Sequence, residues 1–136
     1  MISCLQKEIP GFENQWYKDG FNNAVIHKFE DGTALRIFTP EYFLASKLEA
    51  FWDRGKKDMR FSKDFEDIIY VLNSRKELLK ELKESDSSVL QFIKDKLNYF
   101  ITNTDTDESI IAVLPYGSGK NRVEYIKKIM SDIISL

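Results

Sequence analysis

The sequence predicts an α+β domain in which a small N-terminal β-hairpin element packs on a mostly helical body. Three observations carry that expectation. Two β-prone runs, AVIHKF and TALRIF, flank an Asp31-Gly32 turn. Thr39-Pro40-Glu41 offers an N-cap, a proline at the first helical position and an acid at the positive helix end. From residue 40 onward, apolar residues recur at helical spacing. Residues 1–136 therefore read as one domain, with a loop and the hairpin in 1–39 and the helical body in 40–136.

Before the hairpin, Pro10, Gly11 and Gly20 interrupt a run of aromatics, which predicts a loop and a short helix around Trp16 to Asn23. After it, the helix begun at Pro40 should run to about Arg54 and stop at Gly55, burying Leu44, Leu48 and Phe51. Phe43, Lys47, Phe51 and Arg54 share one side, so Lys47 borders the core. Ser62 can cap a second helix to about Asn73, with Phe65, Ile68, Ile69 and Leu72 inward and Asp64 beside Asp67. Ser74-Arg75-Lys76-Glu77 fits a capping box for a third helix that buries Leu78, Leu79 and Leu82. A fourth helix should follow ESDSS and bury Val89, Leu90, Ile93, Leu97 and Phe100. TNTDTDES reads as a polar loop, IIAVLP as a short strand or a helix end, and a last helix from about Asn121 buries Val123, Ile126, Ile129, Met130 and Ile133.

At 136 residues the chain can bury roughly two thirds of its unfolded surface, enough for a core without covalent staples. A formal charge of -2 gives no global field for holding nucleic acid non-specifically. The single Cys4 excludes an internal disulfide, and with only His27 beside it a Cys/His zinc site is excluded too. The N-terminus has no basic start followed by an apolar run, and no apolar stretch reaches the roughly 18 residues of a membrane span. These features lead us to expect a cytoplasmic protein without membrane association.

Two motifs invite a functional reading and fail it. YGSGKN resembles a phosphate loop, but Leu114 stands where the first glycine is needed and Asn121 where a Ser or Thr is needed, so a helix-leading turn is expected. His27 has no nucleophile or acid at catalytic spacing and reads as an ordinary strand residue.

FLASKLEAFWDRGKKDMRFSKDFEDIIYVL, residues 43–72, is different: it sets Lys47 and Arg54 two turns apart on one helix and Asp64 and Asp67 on the next. The structural account pairs these charges across the helix hairpin while their stems pack on the core. The functional account is a polyphosphate site, in which Lys47 and Arg54 hold phosphate oxygens and an aspartate binds Mg2+ or positions a base. Residue types alone leave both open.

SKLEAFWDRG followed by SKDFEDIIYVLNSR resembles a conserved block of the AbiEii/AbiGii-type nucleotidyltransferases, a family of abortive-infection and toxin–antitoxin toxins. The matching positions are Lys47, Glu49, Arg54, Asp58, Ser62, Asp64, Glu66 and Asp67, and WYKDG, DGTALRIFTPEY and LPYGSGKNR extend the likeness over most of the chain. The resemblance implies phosphate binding by Lys47, Arg54 and Lys63, catalytic roles for Asp64 and Asp67, a nucleoside triphosphate as ligand or substrate, and Mg2+ as cofactor. It also implies an N-terminal Gly-Ser or Gly-Gly helix start together with two aspartates one residue apart on a strand, an element this sequence does not have. Asp105 and Asp107 have the spacing, but no Gly-Ser precedes them. The chain thus corresponds to the C-terminal part of a nucleotidyltransferase-like fold, with little catalysis expected alone and a complementing N-terminal chain as a partner. The rival expectation is a non-enzymatic homodimer or interaction protein presenting Trp16, Tyr17, Trp52 and Phe61.

Overall fold

A computed structural model describes residues 14–55 and 58–136. The expected N-terminal loop over residues 1–13, with Cys4, lies outside the described residues. The order is α1 (Gln15–Asn22), β1 (Val25–Lys28), β2 (Ala34–Ile37), α2 (Pro40–Ala50), a π-helical turn (Phe51–Gly55), a 3-10 turn (Met59–Phe61), α3 (Lys63–Ser74), α4 (Leu78–Lys83), α5 (Ser87–Thr102), α6 (Thr106–Val113) and α7 (Lys120–Ile134). It is an α+β fold: a two-stranded antiparallel hairpin on a helical body.

The hairpin pairs Val25 with Ile37 and Lys28 with Ala34, and Gly32 takes a φ of 91° in the turn, a conformation that favours glycine. Arg36 ties it to the body by donating to the Phe21 carbonyl and lying over the Phe21 ring. α1 is held to α2 by Asn14, which caps α1 through Tyr17 N–H and donates to the Ser46 carbonyl at 2.8 Å. The two helices approach so closely that a Cβ on Gly20 would lie 2.9 Å from Tyr42 Cβ of α2, and 2.6 Å from the ring of Phe38 just before it.

α2 is central, packing against α1, α3, α4 and α5. Leu44, Ala45 and Leu48 are fully buried, and Phe51 meets Phe65 of α3 and Phe100 of α5 at 6.1 and 5.2 Å between ring centroids. These tilted aromatic contacts join three helices at the point where α2 ends, so the end of α2 is fixed in space. α7 closes the other side with Val123, Ile126, Met130 and Ile133, as its periodicity predicts, while Ile129 is only partly buried. Gly119, at a φ of 78°, leads directly into it, which accounts for YGSGKN as a turn.

Four sequence expectations need correction. Thr39 occupies the N-cap of α2 but makes no side-chain cap bond. The capping box over Ser74–Glu77 does not form, because Ser74 is the last residue of α3 and α4 starts at Leu78 without a side-chain cap. Arg75 instead forks onto Glu81 with two 2.7 Å hydrogen bonds, and this cross-link orients α4. The polar TNTDTDES stretch is helical from Thr106, since burial of Thr106, Ser109 and Ile110 and a Thr106 hydroxyl bond to the Phe100 carbonyl outweigh its polar composition. Of the four aromatics expected to be exposed, only Phe61 is, at 83%. Trp16 packs on Phe92, Tyr17 on Phe38 and Trp52 on Tyr99.

Candidate functional site

The charged residues singled out by the sequence meet where the C-terminal end of α2 faces the start of α3. Lys47 projects from the α2 face beside the core. Arg54 belongs to the π-helical turn, whose wider winding rotates it away from where a continued α-helix would aim it. On the opposing side, the Ser62 hydroxyl accepts from Phe65 N–H and starts α3, so Lys63, Asp64 and Asp67 all lie in its first turn and a half.

Asp64 is the anchor. Its side chain is 5% exposed, and Arg54 donates to it from both Nε and a terminal nitrogen at 3.0 and 3.3 Å, a fork that suits a carboxylate taken out of water. Lys47 Nζ sits 2.9 Å from Asp67 Oδ2 and 3.9 Å from Asp64 Oδ1, so it bridges the two acids. Lys63 Nζ donates to Asp67 Oδ1 at 3.0 Å. The cations end in water to increasing degrees, with side-chain exposures of 27% for Lys47, 49% for Arg54 and 73% for Lys63. The acids form the floor and the cations the rim.

Titration behaviour follows from this arrangement. Burial alone would raise the Asp67 carboxyl, but hydrogen bonds from Lys47 and Lys63 outweigh it and hold Asp67 below its ordinary value. The hydrogen bonds to Asp64 and to Asp67 in turn raise Arg54 and Lys63. The cluster thus brings three basic side chains against Asp64 and Asp67, with a third acid, Glu66, at its edge, its Oε1 3.6 Å from Lys63.

The other positions matched to the nucleotidyltransferase block do local work. Glu49 accepts from Trp16 N–H, Asp58 accepts from Arg60 N–H in the 3-10 turn, and Ser62 is the α3 cap. His27 stacks edge-on against Phe29, as an ordinary strand residue can. Asp107 pairs with Lys127 on α7, 2.9 Å apart, and neither strand of the hairpin bears an acid. Among the described residues no group of three or more His, Cys, Asp or Glu could hold a metal ion. Asp64 and Asp67 are already matched by cations, so the described residues do not fit a Mg2+ site by themselves.

Of two aromatic neighbours of the cluster, Phe43 was placed on the side of Lys47 by the sequence and Tyr70 escaped it. Phe43 lies under Lys47, 5.5 Å from its ammonium, and was visible in the i, i+4 spacing. Tyr70, 68% exposed, continues the Lys63 and Asp67 stripe along α3, which the i, i+4, i+7 spacing also encodes. A separate groove of about 400 Å³ is lined by Ile111, Leu114, Pro115 and Tyr116 and includes none of the five charged residues. Compared with known protein families, curated proteins and solved structures, the chain has no significant match.

Proposed function

We propose that this chain is a nucleotidyltransferase-like protein of the AbiEii/AbiGii type, in which Lys47, Arg54 and Lys63 form a phosphate-handling half-site positioned by Asp64 and Asp67. The observation that carries the reading is the convergence of three cations, from α2, the π-helical turn and α3, on a water-facing rim over two carboxylates. Arg54 and Lys63 keep enough exposure to present N–H groups to phosphate oxygens, while Asp64 holds the guanidinium plane fixed. Asp64 is in this reading a positioning residue, because its carboxylate is covered by Arg54 and Lys47. Asp67 has the more accessible carboxylate and is the one able to approach a reacting group. Phosphoryl transfer relies on cations and metal-bearing carboxylates to neutralise developing charge, and among the described residues the cationic half stands without a metal-holding group. The chain alone therefore binds nucleotide with little turnover, and a complementing N-terminal chain carrying the paired aspartates would restore it. The test is calorimetric titration of the full chain with inorganic tripolyphosphate and with nucleoside triphosphates, with and without Mg2+. Saturable binding that weakens at least tenfold in Lys47→Ala/Arg54→Ala supports the reading, and silence in every titration sinks it.

A second reading, favoured by the carboxylate already found within 3.0 Å of each of the three cations, makes the cluster a structural clasp and the protein an interaction module. The exposed Val25, Ile26, Phe29 and Leu35 of the hairpin region would then meet a second copy or another partner. A concentration-independent dimer by light scattering together with silent titrations would select this reading.

A further inference from the structure

We infer that Tyr70 is the base-stacking platform of the phosphate site, so that the ligand is a nucleoside triphosphate rather than a phosphate group of any kind. The inference rests on the reading of Lys47, Arg54 and Lys63 as phosphate-binding.

Three features of α3 carry it. Lys63, Asp67 and Tyr70 stand at i, i+4 and i+7, so one stripe of the helix runs from the cationic rim to an aromatic ring. The stripe spans two helical turns, about 10 Å, a separation that a nucleoside triphosphate bridges between its terminal phosphates and its base. Tyr70 is 68% exposed in a helix whose other large apolar residues, Phe65, Ile68, Ile69, Val71 and Leu72, are all buried. It adds nothing of note to the core, and a flat exposed ring is what a base requires for stacking.

The far end of the stripe is polar. One turn beyond Tyr70, Asn73 receives Arg122 of α7, whose guanidinium donates to the Asn73 side chain and to its carbonyl at 3.1 Å and lies 4.5 Å from the Tyr125 ring centroid. A base lying on Tyr70 would have the phosphate rim on one side and this fixed polar pair on the other. Stacking on an aromatic ring tolerates every base, so the platform selects nucleotides over inorganic polyphosphate without strong preference among the four bases.

The experiment compares inorganic tripolyphosphate with ATP, GTP, CTP and UTP on the full chain, by calorimetry, for the wild type, Tyr70→Ala and Tyr70→Phe. Tyr70 is exposed, so neither variant removes core packing, and circular dichroism checks the fold of each. The expected result is nucleotide binding about tenfold tighter than tripolyphosphate in the wild type, a gap that Tyr70→Ala closes and Tyr70→Phe keeps, with tripolyphosphate affinity the same in all three proteins. Equal wild-type affinity for tripolyphosphate and nucleotides, or a gap that persists in Tyr70→Ala, overturns the stacking role while leaving the phosphate site standing. Absence of binding by every probe removes the phosphate site and the platform with it.

Discussion

The hydroxyl of Thr39 is buried at the start of α2 without a hydrogen-bond partner among the described residues. A threonine at an N-cap ordinarily stabilises a helix by about 1 kcal/mol through its side-chain bond, but here that bond is not made and only the desolvation cost is left. Thr39→Val keeps the β-branched shape and the extended backbone while deleting the orphan oxygen. It should raise stability by about 1 kcal/mol in urea unfolding, and a loss of similar size would mean that the hydroxyl does find a partner in solution. Asp67 provides a pH signature. Its carboxyl is held below the usual range by Lys47 and Lys63, against the effect of burial, so the unfolded chain binds the proton more readily than the folded one. The resulting stability is fully present above the ordinary aspartate value near 3.9 and is lost as pH falls through the lower folded value. Between about pH 5 and pH 2 the free-energy gap between wild type and Asp67→Asn should shrink. A gap that is constant with pH would show that the two lysines do not act on this carboxylate.

Ser74 tests an element boundary. The capping-box pattern assigns it about 1 kcal/mol as the cap of α4, whereas its place as the last residue of α3, exposed and with α4 starting at Leu78, assigns it almost nothing. Ser74→Ala should therefore change stability by less than about 0.5 kcal/mol in chemical denaturation. The α2 end behaves oppositely. Phe51 begins the π-helical turn and is fully buried against Phe65 and Phe100, so Phe51→Ala should cost about 3–5 kcal/mol by cavity formation. The same change would release the turn that aims Arg54 at Asp64. A core defect at Phe51 should accordingly weaken phosphate binding even though Phe51 touches no charged group of the site.

For the whole molecule, the element order and most inward faces were readable from residue pattern: the Asp31-Gly32 hairpin, the Pro40 start of α2, the Ser62 start of α3 and the stripes of α5 and α7 all rest on contacts close in sequence. The two boundaries that misled, Ser74 and Thr106, are places where distant partners overrule composition. Arg75 reaches Glu81 to set α4, and the Thr106 hydroxyl finds the Phe100 carbonyl and makes polar residues helical. Exposure of aromatics misled for the same reason, because Trp16, Tyr17 and Trp52 are covered by rings from β2 and α5 and their surroundings that no local window contains.

The charged cluster divides along the same line. That Lys47 and Arg54 share one side of a helix and that Asp64 and Asp67 are neighbours on the next follows from their spacing, whereas Lys63 entered through the family resemblance. Which acid is sealed, which cation is left in water and which pairs form are set by the π-helical turn and by the depth at which α3 packs on α2, with Asp64 under Arg54 and Lys63 outermost. Spacing along a chain specifies direction around a helix axis, whereas burial depends on what stands opposite, and that is known only once the helices have met.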